Sequence, residues 1–81
     1  MKIEIFGPGC YRCKATEENV RKALQAVGLE AEVVHVSDYR EFARRGIMVT
    51  PAVAIEGKTM SSGRIPDVEQ VRHWLQDLRA A

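Results

Sequence analysis

F-G-P-G-C-Y-R-C-K, residues 6 to 14, decides how this chain is read. Gly7-Pro8-Gly9 stops any strand that reaches it, because proline lacks the ladder donor and the glycines leave no side chain to pack. Behind it stand Cys10 and Cys13, the only cysteines in the sequence. Upstream, residues 2–6 read as a short strand. Downstream, Cys13, Thr16, Val20, Ala23, Leu24 and Val27 recur every three or four residues, the stripe of an amphipathic helix, with Gly28 as its left-handed cap. The thiols therefore sit where a strand hands over to the first turn of a helix.

The pattern continues outward from that junction. Residues 31–36 carry Val33, Val34 and Val36 and predict a second strand; the alternation is poor, so burial on both faces is expected. Strand, helix, strand implies a right-handed parallel crossover. Asp38 and Glu41 have the spacing of a capping box for a short helix that would bury Tyr39 and Phe42 and close near Gly46. The basic run Arg40, Arg44 and Arg45 on that helix is expected to be a solvated face. Residues 52–55 and 58–62 read as two more strands joined tightly at Glu56-Gly57, the last polar enough for an edge. Val68, Val71, Leu75 and Leu78 then line one face of a final helix whose start is marked by Pro66-Asp67 and Gln70, with Trp74 at the margin of the stripe. The order β-α-β-α-β-β-α predicts an α/β fold, a four-stranded mixed sheet with helices on both faces, in a single domain over residues 1–81.

A chain of 81 residues is near the size at which one core only just suffices, which leaves no room for a second domain. The net charge of +1 supplies no electrostatic footprint for nucleic acid or an anionic membrane. The apolar run at residues 1–6 is too short for a signal peptide and is interrupted by Glu4, and no stretch approaches the ~18 apolar residues of a membrane span. A cytoplasmic monomer is expected. Thiols there are kept reduced, and an isolated C-x-x-C is more often catalytic or metal-binding than structural.

At this spacing on a first helical turn, the Cα atoms of Cys10 and Cys13 fall within the range a disulfide accepts. Cys10 lies where unpaired N–H groups and the positive end of the helix dipole favour a thiolate, with Arg12 and Lys14 adding charge nearby, so it is expected to be the attacking sulfur. Cys13, one turn in and on the apolar stripe, is expected to be shielded and to resolve the mixed disulfide. A structural bridge across so short a loop removes little entropy from the unfolded chain. A structural zinc would need two more ligands, and His35 and His73 lack ligand-like spacing. A soft ion such as Cu(I) needs only the cysteine pair, so metal binding stays an alternative, as does a redox sensor that signals without turnover.

Strand order and motifs together resemble the thioredoxin fold, in particular its short, glutaredoxin-length members, including the small redox-active disulfide proteins. Residues 5–13 look like the glutaredoxin opening of strand, glycine-containing turn and C-x-x-C. Gly46-Ile47-Met48-Val49-Thr50-Pro51 is similar to the thioredoxin G-I-x-x-x-P segment, and Ser61-Ser62-Gly63-Arg64 stands where those proteins turn into their last helix. The resemblance implies a thiol-disulfide oxidoreductase with Cys10 and Cys13 catalytic, no metal, and no cofactor beyond their reversible disulfide. It implies a cis Pro51 facing the thiols, with Thr50 beside them to pair its backbone with an extended substrate.

Tyr11, Arg12, Val49, Thr50, Pro51 and Gly63 form the expected substrate-binding set. Tyr11 is read either as a ring over Cys10 or as an exposed helix-start residue, and Met48 with Val49 as an apolar landing patch or a loop anchor. Glu4, six residues before Cys10, occupies the place of the buried acid of thioredoxins, which makes it either the proton acceptor for Cys13 or an outward-facing carboxylate. The implied partners are protein disulfides and a reductase or dithiol donor. Gly63-Arg64 and Pro66-Asp67 replace the Gly-Gly and Thr-Asp with which glutaredoxins hold glutathione, so glutathione is not carried over as a partner. Tyr11-Arg12 likewise replaces the dipeptides familiar between the thiols of those families, so no redox potential is carried over either.

Overall fold

The computed structural model of the chain describes residues 1–9 and 11–80, with the side chains of residues 79 and 80 excepted; Cys10 and Ala81 lie outside the described residues. The elements run β1 (Lys2–Phe6), α1 (Tyr11–Val27), β2 (Glu32–Val36), α2 (Tyr39–Arg44), β3 (Ala52–Ile55), β4 (Lys58–Ser62) and α3 (Val68–Ala80). The strands form one sheet in the order β2-β1-β3-β4, with β2 parallel to β1 and the β1–β3 and β3–β4 pairs antiparallel. This is the expected α/β architecture, a four-stranded mixed sheet.

Period-two alternation along the central strands divides the core between the two faces. Ile3 and Ile5 of β1 and Val53 and Ile55 of β3 pack on Val20, Ala23 and Leu24 of α1 and on Val71 and Leu75 of α3. The intervening Phe6, Ala52 and Ala54 point the other way and pack with Phe42 of α2 and Ile47. Two apolar clusters thus clamp the sheet. Phe6 and Phe42 meet edge to face, with ring centroids 6.0 Å apart.

Local chemistry ends the elements. Gly28 closes α1 at φ +69°, a conformation that costs glycine no Cβ clash. Asp67 caps α3, its Oδ1 accepting from the Gln70 N–H at 2.8 Å. Glu56 and Gly57 both have positive φ, the signature of the mirror-image turn that matches the twist of a two-residue hairpin.

Three local expectations are corrected. The strand predicted at residues 31–36 begins at Glu32 and lies at a sheet edge, exposed at Glu32 and His35 and only half-buried elsewhere. Its poor alternation reflects Val33 leaning on the α1/α3 cluster and Val36 on the α2 cluster. Asp38 caps α2 but accepts from the Arg40 N–H, and the Glu41 carboxylate pairs with Arg44 at 2.8 Å, so no reciprocal capping box forms. Tyr39 is 69% exposed, its ring meeting that of the buried Phe42 in a T-shaped arrangement with centroids 5.2 Å apart. The helix is too short to bury both.

Candidate active site at the start of the first helix

Strand directions bring Tyr11, Arg12, Cys13, Val49, Thr50, Pro51 and Gly63 to one end of the sheet, while Glu4 lies in the middle of β1. β1 and β2 finish there, α1 starts there, β3 begins there and antiparallel β4 ends there. Gly7–Gly9, the first turn of α1, the loop before β3 and the turn after β4 therefore converge, although they are far apart in the chain. Cys10, the expected nucleophile, precedes the first residue of α1 and lies outside the described residues.

Cys13 is 1% exposed. Its sulfur is seated on the backbone of Gly7: a Cβ at Gly7 would collide with Cys13 Sγ and would stand 3.5 Å from Cys13 Cβ and 4.0 Å from Thr50 Cβ. One missing side chain thus makes room for the thiol and brings it into the neighbourhood of Thr50. Beneath them the first turn of α1 is tightened by the buried Thr16, whose hydroxyl donates to Arg12 O at 2.9 Å.

The Thr50–Pro51 peptide is cis, and Pro51 is fully buried. Its loop is fastened to the end of β4 twice, by Gly63 N–H donating to Pro51 O at 2.9 Å and by Ser62 Oγ donating to Val49 O at 2.8 Å. Gly63 has φ +81°, and a Cβ there would come within 2.8 Å of Val49 Cγ1, so both backbone and packing call for glycine. Val49 is 55% exposed, Met48 94% and Tyr11 79%, while Arg12 is half-buried. This end of the sheet therefore presents apolar surface beside a buried thiol.

Glu4 takes an unexpected pairing. It is 8% exposed on the α2 side of β1, and both carboxylate oxygens accept from Arg45 Nη2, at 2.7 and 2.9 Å. The same guanidinium lies 5.5 Å from the centroid of the Phe6 ring, within cation–π range. Arg45, assigned by its sequence context to a solvated face, is the C-cap of α2 and ties that helix to the central strand. No local signal marks it, because its partner is 41 residues away.

His35 is a second residue with an undetected role. Its Nε2 lies 3.1 Å from Gly7 O, so a histidine considered above only as a metal ligand touches the turn that precedes α1. Among the described residues no group of three or more His, Cys, Asp and Glu side chains is placed to hold a metal ion. No helix among them is long and apolar enough to cross a membrane. The resolved shifts in acidity lie on α3, where the 2.6 Å hydrogen bond from Arg72 holds Glu69 below the usual carboxylate range and Glu69 raises Arg72 in return.

Comparison with known proteins agrees with this geometry. A family model described as "Thioredoxin domain" matches residues 1–76. A protein named thioredoxin from Methanocaldococcus jannaschii is 43% identical over 74 residues, covering 91% of this chain and 85% of that protein. Another of the same name, from Methanothermobacter thermautotrophicus, is 31% identical over 72 residues, covering 89% of this chain and 94% of its own length.

Proposed function

The chain belongs to the thioredoxin domain family, a family of thiol-disulfide oxidoreductases, and we propose that its chemistry runs through Cys10 and Cys13 on disulfide substrates. Cys10 as thiolate attacks one sulfur of the substrate disulfide; that S–S bond breaks and the first substrate sulfur leaves as a thiolate. Cys13 then gives up its proton and attacks the Cys10 sulfur of the mixed disulfide. The second substrate sulfur departs, two electrons have passed to the substrate, and Cys10–Cys13 is left oxidised. An external dithiol or a reductase returns the pair to the reduced state.

The observation that carries this reading is the seat of Cys13: a thiol 1% exposed, set against Gly7 and close to Thr50, whose peptide bond to Pro51 is cis. A shielded sulfur one turn behind the helix start suits a resolving role, since it stays out of side reactions until a mixed disulfide forms beside it. The exposed Tyr11 and Val49, with Arg12, Thr50, Pro51 and Gly63, are the proposed substrate contacts, and the backbone of Thr50 is the proposed edge for an extended protein segment. Protein disulfides in the cytoplasm are the proposed substrates, with the protein acting as a monomer.

Two variants test the assignment. Incubated with a disulfide-bonded protein such as insulin, Cys13→Ser should accumulate a mixed disulfide, whereas Cys10→Ser should form none and reduce nothing. If both variants keep turning over, or if a stoichiometric soft metal accompanies the purified protein and blocks alkylation of both thiols, the two-cysteine reading fails.

A further inference from the structure

Gly7 is fastened to β2 at both of its polar groups. Its N–H donates to Val36 O at 2.9 Å, extending the parallel ladder one step past the end of β1. Its C=O lies 3.1 Å from His35 Nε2. A carbonyl oxygen only accepts, so the bond requires the proton on Nε2. The ring also lies along the turn, since a Cβ built at Gly9 would stand 3.7 Å from His35 Cε1.

In a regular parallel ladder a strand carbonyl is taken by a backbone N–H of its neighbour. Here an edge-strand side chain takes it. Gly9 has φ +91°, and Gly7 is the residue whose backbone forms the seat of Cys13 Sγ. The contact runs from the imidazole N–H to the Gly7 carbonyl and, across the α-carbon, to the sulfur.

We propose that His35 is a positioning residue for the resolving thiol: its ring N–H holds the Gly7 peptide so that Cys13 is set to attack the mixed disulfide on Cys10. This rests on the two-cysteine chemistry above. His35 is exposed, so its substitution removes little buried surface, and the effect falls on the turn rather than on the whole fold. Losing one hydrogen bond of ordinary strength corresponds to a rate change of about five- to tenfold if the bond is fully used in the resolving step.

The test uses a symmetric aromatic disulfide that releases one coloured thiolate on capture by Cys10 and a second on resolution by Cys13, followed by stopped flow. In His35→Leu the capture phase should match the wild type while the resolving phase slows about five- to tenfold. In His35→Gln, whose amide N–H can reach the same carbonyl, the resolving phase should return to within about twofold of wild type. An unchanged resolving phase in His35→Leu overturns the proposal. So does equal slowing of both phases, which would mean general loosening, or a His35→Gln variant as slow as His35→Leu. Absence of a second phase in the wild type itself, or capture that persists in Cys10→Ser, would instead remove the two-cysteine chemistry on which the proposal depends.

Discussion

Both oxygens of Glu4 accept from one nitrogen of Arg45, at 2.7 and 2.9 Å, so a nearly buried carboxylate on the central strand is neutralised by the residue that caps α2. Removing the cation leaves the anion in a poorly solvated place and also removes the contact with the Phe6 ring. Arg45→Leu should therefore destabilise the fold by about 2 kcal/mol, the side chain being one-third exposed, measured by urea denaturation. An unaltered midpoint would show that the pair contributes nothing net. The same pairing bears on the acceptor role that its place in the sequence implies for Glu4. With its oxygens engaged by Arg45, Glu4→Gln should leave the pH midpoint of the resolving phase in place; a displaced midpoint would make Glu4 the acceptor of the Cys13 proton.

Gly7 and Gly63 tolerate no side chain, for different reasons. Gly7→Ala drives a methyl group into Cys13 Sγ and should cost about 1–3 kcal/mol together with most of the resolving rate. Gly63→Ala combines φ +81° with a 2.8 Å approach to Val49, so it should destabilise by about 1–2 kcal/mol and loosen the Pro51 loop. Thermal denaturation and the two-phase thiol assay measure both. Wild-type behaviour in either variant would mean that the backbone relaxes freely there.

Burial should make Cys13 slow to react. In Cys10→Ser, alkylation of Cys13 by iodoacetamide should run on the order of a hundredfold slower in the native protein than in urea, because the sulfur must wait for local opening. Equal rates would place it in contact with solvent.

The two sides of the molecule should differ sharply in their response to truncation. Leu75 is fully buried between α1, α3 and the sheet, so Leu75→Ala should cost about 2–5 kcal/mol. Met48 is 94% exposed, and Met48→Ala should stay within about 0.5 kcal/mol while weakening capture of a protein substrate. Loss of stability in the second variant would make Met48 an anchor of its loop.

Glu69 offers a test of acid sensitivity. Its acidity is strengthened chiefly by the hydrogen bond from Arg72, so its folded-state pKa lies below the unfolded one. The pair's contribution is present above the unfolded value and is lost as pH falls through the folded value. Because the pair is exposed, that contribution should be small and should fade with added salt. NMR titration of the Glu69 side chain, with and without Arg72→Gln, should show its midpoint move upward in the variant.

Much of the fold was readable because its signals are local. The helical stripe from Cys13 to Val27, the cap at Gly28, the Glu56-Gly57 turn and the Asp67 cap each depend on residues within a few positions of one another. The bounds of β1, β3 and β4 followed from apolar runs broken by glycine and proline, and from these came the element order. β2 misled because a strand holding Val33 against one core cluster and Val36 against the other resembles a strand buried throughout.

From the amino-acid order came the C-x-x-C spacing ahead of a helical stripe and the α/β element order, and from the family resemblance came the Thr50–Pro51 segment. Folding decided what touches what: Arg45 on Glu4, His35 on Gly7 across 28 positions, Gly7 under Cys13, and Gly63 against Val49. Periodicity and capping are properties of adjacent residues. Which strands become neighbours, and which side chains then share a face, depends on how the chain folds back through the sheet, and no short window of sequence carries that.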